Sequence, residues 1–514
     1  MTASHAASPA ASLNADRRAR ELAALAVAGT VDVLVIGAGV TGAGVALDAA
    51  SRGLSVALVD KHDLAYGTSR WSSKLVHGGL RYLASGSVGI AYESAVERGI
   101  LMRHTAPHLV RPFPQLIPLL PGVDAPLIRA GHIAGDLLRR AAGTPGRLLP
   151  RSRRITAAET RRYAPTVRPD GLRGGLLGWD GQLYDDARLV LALARTAAAH
   201  GAYVLTRCGA EQVTGDGAVL RDQLTGERVD LTARAVVNAA GVWAGELAPG
   251  IALRPSRGSH LVFDQAAFGG LTAGLTAPVP GSRSRFVFAL PAPGGRVYVG
   301  LTDEDAPGPI PDEPQPTEAE IDFLLDTVNT VLAVPLSRSD IRGGFAGLRP
   351  LLDTGAGRTA DVSRRHAVIT APDGLVTVIG GKLTTYRRMA EDALDAVLAR
   401  HGVDAGPCRT RRLPLVGAGP IVAPAPPRLI ARYGSEAAAV LTEAGDDPAQ
   451  LRPIADGIET TPAELRYAVR HEGALDLGDL LDRRTRIGLV PADRARAVTA
   501  ASAALAEAGL TAAT

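Results

Sequence analysis

A glycine-rich turn between a strand and a helix, close to the start of the chain, constrains the fold more than any other feature. Residues 31–36 are mostly apolar and β-branched, and the turn Gly-Ala-Gly-Val-Thr-Gly follows at residues 37–42. Residues 43–51 favour a helix, and residues 56–59 form a second apolar strand that ends at Asp60. This order of strand, turn, helix, strand and acid predicts a βαβ unit in an α/β fold.

The spacing of the glycines predicts a dinucleotide site. Gly37 allows the tight turn, Gly39 lets the backbone approach a pyrophosphate, and Gly42 lets the helix pack closely on the strand. The N–H groups and dipole of the helix N-terminus then face the phosphates. Asp60 lies 18 residues after Gly42, where a carboxylate can accept hydrogen bonds from the ribose hydroxyls. At this point both FAD and NAD remain possible.

The segments that follow favour FAD. In a nicotinamide enzyme the alternation of parallel strands and helices would continue, whereas here a hydroxyl-rich loop occupies residues 67–74. A second glycine pair, Gly380-Gly381, enters a helix more than 300 residues later, and the dipole of that helix could face the flavin ring. The loop residues expected to hold the flavin phosphate and ring edge are Thr68, Ser69, Ser72, Ser73 and Lys74.

Length and composition limit the alternatives. A chain of 514 residues with 46% hydrophobic and 21% charged residues predicts a globular protein of two or three domains. Two cysteines, Cys208 and Cys408, are too few for a disulfide framework or a cysteine-rich metal site, and we expect no metal. No window of 18 residues is apolar throughout, so no membrane-spanning helix is predicted.

The basic residues are unusual in kind rather than in number. The excess of base over acid is 56 − 52 = +4, which suits an anionic ligand or membrane surface without proving either. Lysine occurs only at Lys61, Lys74 and Lys382, against 56 − 3 = 53 arginines, so a retained lysine suggests a chemical role. No nucleic-acid recognition module is present, and we expect no nucleic-acid partner.

The remaining pattern divides the chain into segments. Helices are predicted over residues 16–27, 128–142 and 185–200, a return strand over 235–238, a hairpin over 286–290 and 296–301, and a buried strand over 375–379. The predicted domains are an N-terminal tail (1–28), a FAD-binding domain in three parts (29–115, 181–250 and 351–405), a basic segment that belongs to the substrate domain or faces a membrane (116–180), an antiparallel substrate domain (251–350) and a C-terminal helical domain (406–514).

Several motifs together resemble one family. Residues 72–82 read Ser-Ser-Lys-Leu-Val-His-Gly-Gly-Leu-Arg-Tyr, residues 347–351 read Gly-Leu-Arg-Pro-Leu, and residues 380–386 read Gly-Gly-Lys-Leu-Thr-Thr-Tyr. With residues 106–110 and 185–189, these motifs resemble the FAD-dependent glycerol-3-phosphate dehydrogenases. The resemblance extends in the same order from about residue 32 to 400, and continues weakly through residues 470–472 and 482–486.

The resemblance implies both a fold and a reaction. The fold is an FAD-binding Rossmann-like α/β domain of the glutathione-reductase and D-amino-acid-oxidase type, with an inserted antiparallel substrate domain and a C-terminal helical domain. The reaction is oxidation of sn-glycerol 3-phosphate to dihydroxyacetone phosphate, by hydride transfer from C2 to flavin N5, with electrons passing to membrane quinone. The resemblance also implies a cytoplasmic protein in peripheral contact with the inner leaflet of the cytoplasmic membrane, from a family that can dimerise through its helical domain.

The resemblance also places the site residues. A phosphate dianion needs several cationic or N–H donors around one point. The expected substrate contacts are Arg81, Tyr82, Thr302, Arg364 and Lys382, with Arg365 as the alternative if the alignment slips by one. His260 is the expected base for the C2 hydroxyl, and Arg349 the stabiliser of the developing alkoxide. His77, Gly380, Gly381, Leu383 and Thr384 are expected at the flavin.

Three other functions are weighed against this one. A glycerol-3-phosphate oxidase would pass its electrons to oxygen, but no extra internal segment of the kind expected for the oxidases is obvious. A related flavoprotein that oxidises an amine or a hydroxy acid would not need the cationic cluster. A flavin-binding scaffold without turnover would be expected to lack Arg81, Lys382 or His260, which are all present. The helix at 128–142 carries the apolar residues Ile128, Ile133, Leu137 and Leu138 among Arg129, Arg139 and Arg140. It fits either an interfacial membrane helix or a solvated basic face.

Overall fold

The computed structural model describes residues 7–79, 82, 86–282, 285–353 and 365–511. Its strands are β1 (Thr30–Ile36), β2 (Val56–Val59), β3 (Leu75–Val76), β4 (Val110–Pro118), β5 (Arg153–Ile155), β6 (Gly175–Leu183), β7 (Tyr203–Leu205), β8 (Cys208–Thr214), β9 (Gly217–Asp222), β10 (Arg228–Asn238), β11 (Leu253–Asp264), β12 (Gly274–Pro278), β13 (Phe286–Ala292), β14 (Arg296–Gly300), β15 (Glu304–Asp305), β16 (Ile341–Leu352), β17 (Ala367–Thr370) and β18 (Val376–Ile379).

The α-helices of the described residues are α1 (Ala15–Ala28), α2 (Val40–Ser51), α3 (Val88–Ile100), α4 (Ala125–Ala141), α5 (Ala157–Tyr163), α6 (Asp186–Ala199), α7 (Ala244–Leu247), α8 (Glu318–Asn329), α9 (Tyr386–His401), α10 (Pro427–Tyr433), α11 (Ala437–Thr442), α12 (Pro462–His471) and α13 (Pro491–Ala506). Two π-helical turns, Leu101–Thr105 and Asp479–Arg484, complete the elements that the site uses.

The first sheet confirms the predicted βαβ unit. Strand β1 lies between β2 and β10 and is parallel to both, with Val33 opposite Val56 and Leu34 opposite Val236. Strands β18 and β7 extend the parallel part on either side. Helices α2, α6 and α9 bury their small and aliphatic side chains against one face. The glycine turn therefore lies at the carboxyl end of the central strand, where open α/β sheets bind their ligands.

The second sheet is mixed, with an antiparallel part that carries the candidate catalytic residues. Strand β11 pairs antiparallel with both β14 and β16, so that His260 lies opposite Gly300 on one side and Phe345 on the other. The predicted hairpin is confirmed as β13 and β14. Helix α8 packs its apolar face on this sheet. The fold class is therefore a dinucleotide-binding α/β domain joined to a second sheet, as predicted.

The C-terminal part is helical and packs on the first domain through buried ion pairs. Leucines and alanines of α12, α13 and the second π-helical turn form its core. Arg188 of α6 binds Glu472 at 2.7 Å, and Arg195 of the same helix binds Glu436 at 2.6 Å. Because all four side chains are largely withdrawn from water, losing one partner would leave a buried charge uncompensated.

The N-terminal segment joins two domains. Helix α1 buries Leu22 and Leu25 against the first sheet. Just before it, the N–H of Leu13 donates to the carbonyl of His471 at 3.0 Å, and the N–H of Gly473 donates to the carbonyl of Leu13 at 2.8 Å. The helix predicted over 16–27 is confirmed, while the predicted domain boundaries stay predictions. The boundary at residue 115 falls within β4, which belongs to the second sheet.

Candidate functional site

The glycine turn has the geometry that a dinucleotide site requires. Gly37 has a φ of +101°, and a Cβ there would lie 2.6 Å from the carbonyl oxygen of Ala239. A Cβ on Gly42 would lie 1.8 Å from the carbonyl oxygen of Gly37. Gly39 caps helix α2, whose first N–H, on Val40, donates to Ser69 Oγ at 2.9 Å. The three glycines thus keep the turn compact beside a helix N-terminus, which fits a pyrophosphate.

Asp60 holds the turn from the adjacent strand end. One carboxylate oxygen accepts the Ala38 N–H at 2.7 Å, and the other accepts the His62 N–H at 2.8 Å. Each oxygen retains a second lone pair, so the carboxylate can still accept a ribose hydroxyl. The predicted role and the observed position of Asp60 are compatible.

The hydroxyl-rich loop joins the two sheets. Thr68 Oγ1 donates to the carbonyl of Leu348 on β16 at 2.6 Å, and Ser73 Oγ lies 2.8 Å from His260 Nε2 on β11. The N–H and hydroxyl of Ser72 both donate to Asp186 Oδ2, at 2.9 and 2.7 Å. The loop predicted to hold the flavin therefore also positions the imidazole predicted to act on the substrate.

The side chain of Lys74 is used within the protein. Its ammonium group donates to Asp186 at 3.1 Å and to the carbonyls of Arg70 and Ser72 at 3.3 and 3.0 Å, which are its three donors. Burial lowers the pKa of Lys74 to about 8, partly offset by Asp186. Its predicted flavin contact stays a prediction.

His77 is held by an acid that the sequence motifs do not include. Asp180 Oδ2 lies 3.1 Å from His77 Nδ1, and Oδ1 accepts from Arg98 at 2.6 Å and from the N–H of Gly78 at 3.0 Å. Burial alone would raise the pKa of Asp180, but Arg98 and His77 outweigh it, so the pKa is lowered. The side chain of His77 remains 45% exposed, which leaves it able to contact a ligand.

The second glycine pair has the predicted setting. Gly380 and Gly381 have φ values of +77° and +76°, and a Cβ on Gly381 would lie 2.3 Å from Met389 Sδ. A short 3₁₀ turn, Leu383–Thr385, follows and leads directly into α9. Thr384 is buried and Leu383 is half-buried.

Two of the predicted substrate contacts lie together. Lys382 Nζ lies 3.7 Å from the centroid of the Tyr82 ring and donates to Ser94 Oγ of α3 at 2.8 Å. An ammonium group over an aromatic face is a favourable cation–π arrangement. Arg81 and Arg364, the other predicted cations, lie outside the described residues.

His260 is buried in a neutral state. Its ring stacks on Phe345 with centroids 4.7 Å apart and an interplanar angle of 11°. Burial lowers its pKa to about 3, and the nearby charges of Lys74 and Arg349 contribute to the shift. Nδ1 has no hydrogen-bond partner within the described part of the chain. A neutral imidazole with one unengaged nitrogen fits the predicted role of proton acceptor.

Arg349 lies along the same face of β11 as His260. It reaches across from β16, and a Cβ on Gly258 would lie 2.1 Å from its Nη2. Gly258 and His260 are two residues apart, so they face the same side of the strand. Arg349 Nη1 donates to Ser256 Oγ at 3.2 Å, and Nη2 donates to the carbonyl of Thr302 at 3.2 Å.

Thr302 is buried in a hydrogen-bond network. Its hydroxyl accepts from the N–H of Ser259 at 2.9 Å and donates to Glu320 Oε1 at 2.7 Å. The network holds β11 against the N-terminus of α8 at Ser259, the residue before His260. Its predicted contact with substrate stays a prediction.

Sequence reasoning missed the roles of four residues that support the site, namely Asp180, Arg98, Ser94 and Asp186. Only Asp180 offered a local signal, since it is the one charged residue of strand β6. Asp186 was noted only as part of a motif. Arg98 and Ser94 lie on α3 in a pattern typical of any amphipathic helix.

The comparisons with known proteins identify the family of the chain. Residues 32–387 match the FAD dependent oxidoreductase family, and residues 408–512 match the C-terminal domain of alpha-glycerophosphate oxidase. The chain is 61% identical over 505 residues to glycerol-3-phosphate dehydrogenase 1 of Mycobacterium tuberculosis, covering 96% of this chain and 98% of that relative. It is 39% identical over 488 residues to glycerol-3-phosphate dehydrogenase 2 of the same organism, covering 89% and 81%.

Solved structures show the same architecture. The glycerol-3-phosphate dehydrogenase from Bacillus halodurans complexed with FAD has a TM-score of 0.74 and 27% identity, covering 96% of this chain and 94% of that one. The L-alpha-glycerophosphate oxidase from Mycoplasma pneumoniae with FAD bound has a TM-score of 0.56 and 20% identity, covering 75% and 99%, and shows a shared fold. The predicted fold class and the predicted cofactor, FAD, are confirmed.

Replacing Gly42 with alanine should remove the flavin. The new Cβ would lie 1.8 Å from the carbonyl oxygen of Gly37, so the turn would have to open. We expect Gly42→Ala to be purified with most of its FAD lost, measured as the ratio of flavin to protein absorbance. Gly131→Ala is the matched control, because a Cβ there meets nothing within 4 Å. Full flavin content in Gly42→Ala would contradict the geometry.

His260 should make the stability of the protein depend on pH. Its pKa is about 3 in the folded protein, against 6.5 for an imidazole in water, so between these values the unfolded chain binds the extra proton. Stability is then lost as pH falls below 6.5, by about 1.4 kcal/mol per pH unit. We expect His260→Gln to lose less thermal stability than the native protein between pH 6.5 and about pH 5. Equal losses in the two proteins would show that His260 does not titrate in this way.

Proposed function

Because the chain belongs to the family of FAD-dependent glycerol-3-phosphate dehydrogenases, we propose that it oxidises sn-glycerol 3-phosphate to dihydroxyacetone phosphate. The observation that carries the proposal is that His260 of β11 and the side chain of Arg349, which reaches across from β16, lie on the same face of β11. This face lies beside the loop that contacts the dinucleotide turn. The Lys382–Tyr82 pair supplies a cation for a phosphate. When bound, FAD supplies at its N5 the acceptor for the hydride that leaves C2.

The residues of the chain supply the binding and the proton transfer. We propose that the His260 imidazole accepts the proton of the C2 hydroxyl; its Nε2 lies 2.8 Å from Ser73 Oγ, and its Nδ1 is buried without a hydrogen-bond partner in the described part of the chain. A pKa of about 3 makes the free imidazole a weak base, but an adjacent phosphate dianion would stabilise its protonated form and so raise the pKa. Arg349 stabilises the oxygen as negative charge develops on it.

We propose membrane quinone as the electron acceptor, and oxygen is the alternative. The oxidase remains the alternative because residues 408–512 match a domain of alpha-glycerophosphate oxidase. The 61% and 39% identical relatives are both named dehydrogenases and not oxidases, which supports an acceptor other than oxygen.

The proposed membrane contact rests on an exposed apolar stripe. Helix α4 exposes Leu127, Ile133 and Leu137 at 55%, 47% and 60%. Two other residues of the predicted apolar face, Ile128 and Leu138, instead pack inward against neighbouring strands and α3. Within the described residues, no helix has the length and apolar character needed to traverse a bilayer. We propose that this stripe rests on the inner leaflet and that the protein is cytoplasmic.

The substrate is tested by an anaerobic flavin spectrum. We expect sn-glycerol 3-phosphate, but not glycerol, to bleach the visible absorbance of the bound flavin. A short-chain quinone should then restore the absorbance much faster than oxygen does. A flavin that the phosphate ester leaves unchanged would refute the substrate, and faster recovery with oxygen would favour the oxidase.

Binding and chemistry should separate in two variants. Lys382→Ala should raise KM for the phosphate ester by about tenfold or more, because a charge-assisted hydrogen bond is lost, while FAD is retained. His260→Ala should lower kcat far more than it changes KM. Arg400→Ala, which removes an exposed cation at the far end of α9, is the control for a general loss of charge. An unchanged KM in Lys382→Ala would remove this residue from the phosphate site.

The membrane contact is tested by vesicle sedimentation. Ile133→Glu combined with Leu137→Glu should reduce binding to anionic vesicles, because two carboxylates would enter the interface. Leu224→Glu changes a leucine that is 57% exposed in the β9–β10 turn, and should bind as the native protein does. Equal binding by all three proteins would place the membrane contact elsewhere.

A further inference from the structure

Residues 60–65, the connection between β2 and the flavin loop, hold the dinucleotide turn by binding both the N–H and the carbonyl of Ala38. Ala38 lies between the two glycines Gly37 and Gly39. Its N–H donates to Asp60 at 2.7 Å, and its carbonyl accepts from the N–H of Ala65 at 3.0 Å. The position of the turn therefore depends on the conformation of residues 60–65.

The C-terminal domain also binds this connection, at Asp63. Asp63 is fully buried, and its carboxylate accepts from Arg483 Nε at 2.6 Å and from both Nη atoms of Arg484 at 2.6 and 2.8 Å. Both arginines are themselves almost completely buried. Burial alone would raise the pKa of Asp63, but the two arginines outweigh it and lower the pKa well below its usual value. The carboxylate therefore stays charged.

Two further contacts link residues 60–70 to the C-terminal domain. Arg486 Nη2 donates to the carbonyl of Arg70 at 2.5 Å, one residue after Ser69, whose hydroxyl caps the start of α2. Arg207 donates its N–H to the carbonyl of His62 at 2.6 Å and its side chain to Asp479 at 2.7 Å. The connection thus contacts the C-terminal domain at Asp63, between its two contacts with the dinucleotide turn, and the flavin loop contacts that domain at Arg70, next to Ser69.

We propose that Arg483, Arg484 and Arg486 are positioning residues for FAD. They hold residues 60–70 in the conformation that shapes the dinucleotide turn, so the affinity for FAD depends on the docked C-terminal domain. Two buried arginines that bind one buried carboxylate fix the position of residue 63, and removing the carboxylate charge would leave both arginines buried without that counter-ion. By linkage, bound FAD stabilises the docked domain to the same extent.

The test compares two ion pairs of the same interface. Asp63→Asn removes the charge that Arg483 and Arg484 bind. Arg195→Met breaks the Arg195–Glu436 pair, which also joins α6 to the C-terminal domain. Within the described residues, neither of its side chains is hydrogen-bonded to residues 60–70 or to Arg483, Arg484 or Arg486. Each holoenzyme is diluted, and released FAD is followed by its fluorescence. We expect the Kd for FAD to rise at least tenfold in Asp63→Asn and less than twofold in Arg195→Met, although both variants lose thermal stability.

A native Kd in Asp63→Asn would overturn the proposal. So would an equal rise in both variants, which would show that general loosening of the interface is sufficient. If Asp63→Asn does not fold, hydrogen exchange in the native protein gives the answer, because it needs no substitution. Removal of FAD should then accelerate exchange of the amides in residues 479–486, and unchanged exchange there would refute the coupling.

Discussion

One short loop, residues 67–74, bonds to both sheets, and the candidate site depends on those bonds. Ser69 caps helix α2 of the first sheet, Thr68 binds the carbonyl of Leu348, and Ser73 binds His260 on the second sheet. Because neither sheet contains both the dinucleotide turn and the imidazole, this loop sets the distance between them. The hydroxyl groups that suggested a phosphate-binding loop therefore also act as the joint between a cofactor domain and a substrate domain.

Buried ion pairs form the second requirement of the structure. Lys74 with Asp186, Arg98 with Asp180 and Arg483 with Asp63 each join segments far apart in the sequence. Such a pair adds little net stability, since desolvation offsets the attraction, but losing one partner is costly. Each pair therefore specifies one arrangement of its segments more than it strengthens the fold. The arginine-rich composition is thus used inside the molecule as well as on its surface.

Local pattern predicted the elements well and the direction of their side chains less well. Strand β2 was predicted with its observed ends, because a short apolar strand between a glycine and an acid has few alternatives. Helix α4 was predicted at residues 128–142 and lies at Ala125–Ala141, yet two of its four predicted interfacial side chains pack inward. Periodicity locates an apolar stripe on a helix, but which side meets the protein depends on where α3 and the second sheet lie.

The sequence by itself determined the βαβ unit, FAD as the cofactor, the hairpin and the family, because glycine spacing and collinear motifs are local properties of the chain. Tertiary structure alone decided what each side chain contacts. Lys74 lies in a signature motif, yet its three ammonium donors bind groups within the protein. Asp180 lies in no motif, yet its carboxylate binds His77. Those partners are separated by about a hundred residues or more, and only the packing of two sheets and a helical domain brings them within hydrogen-bond distance.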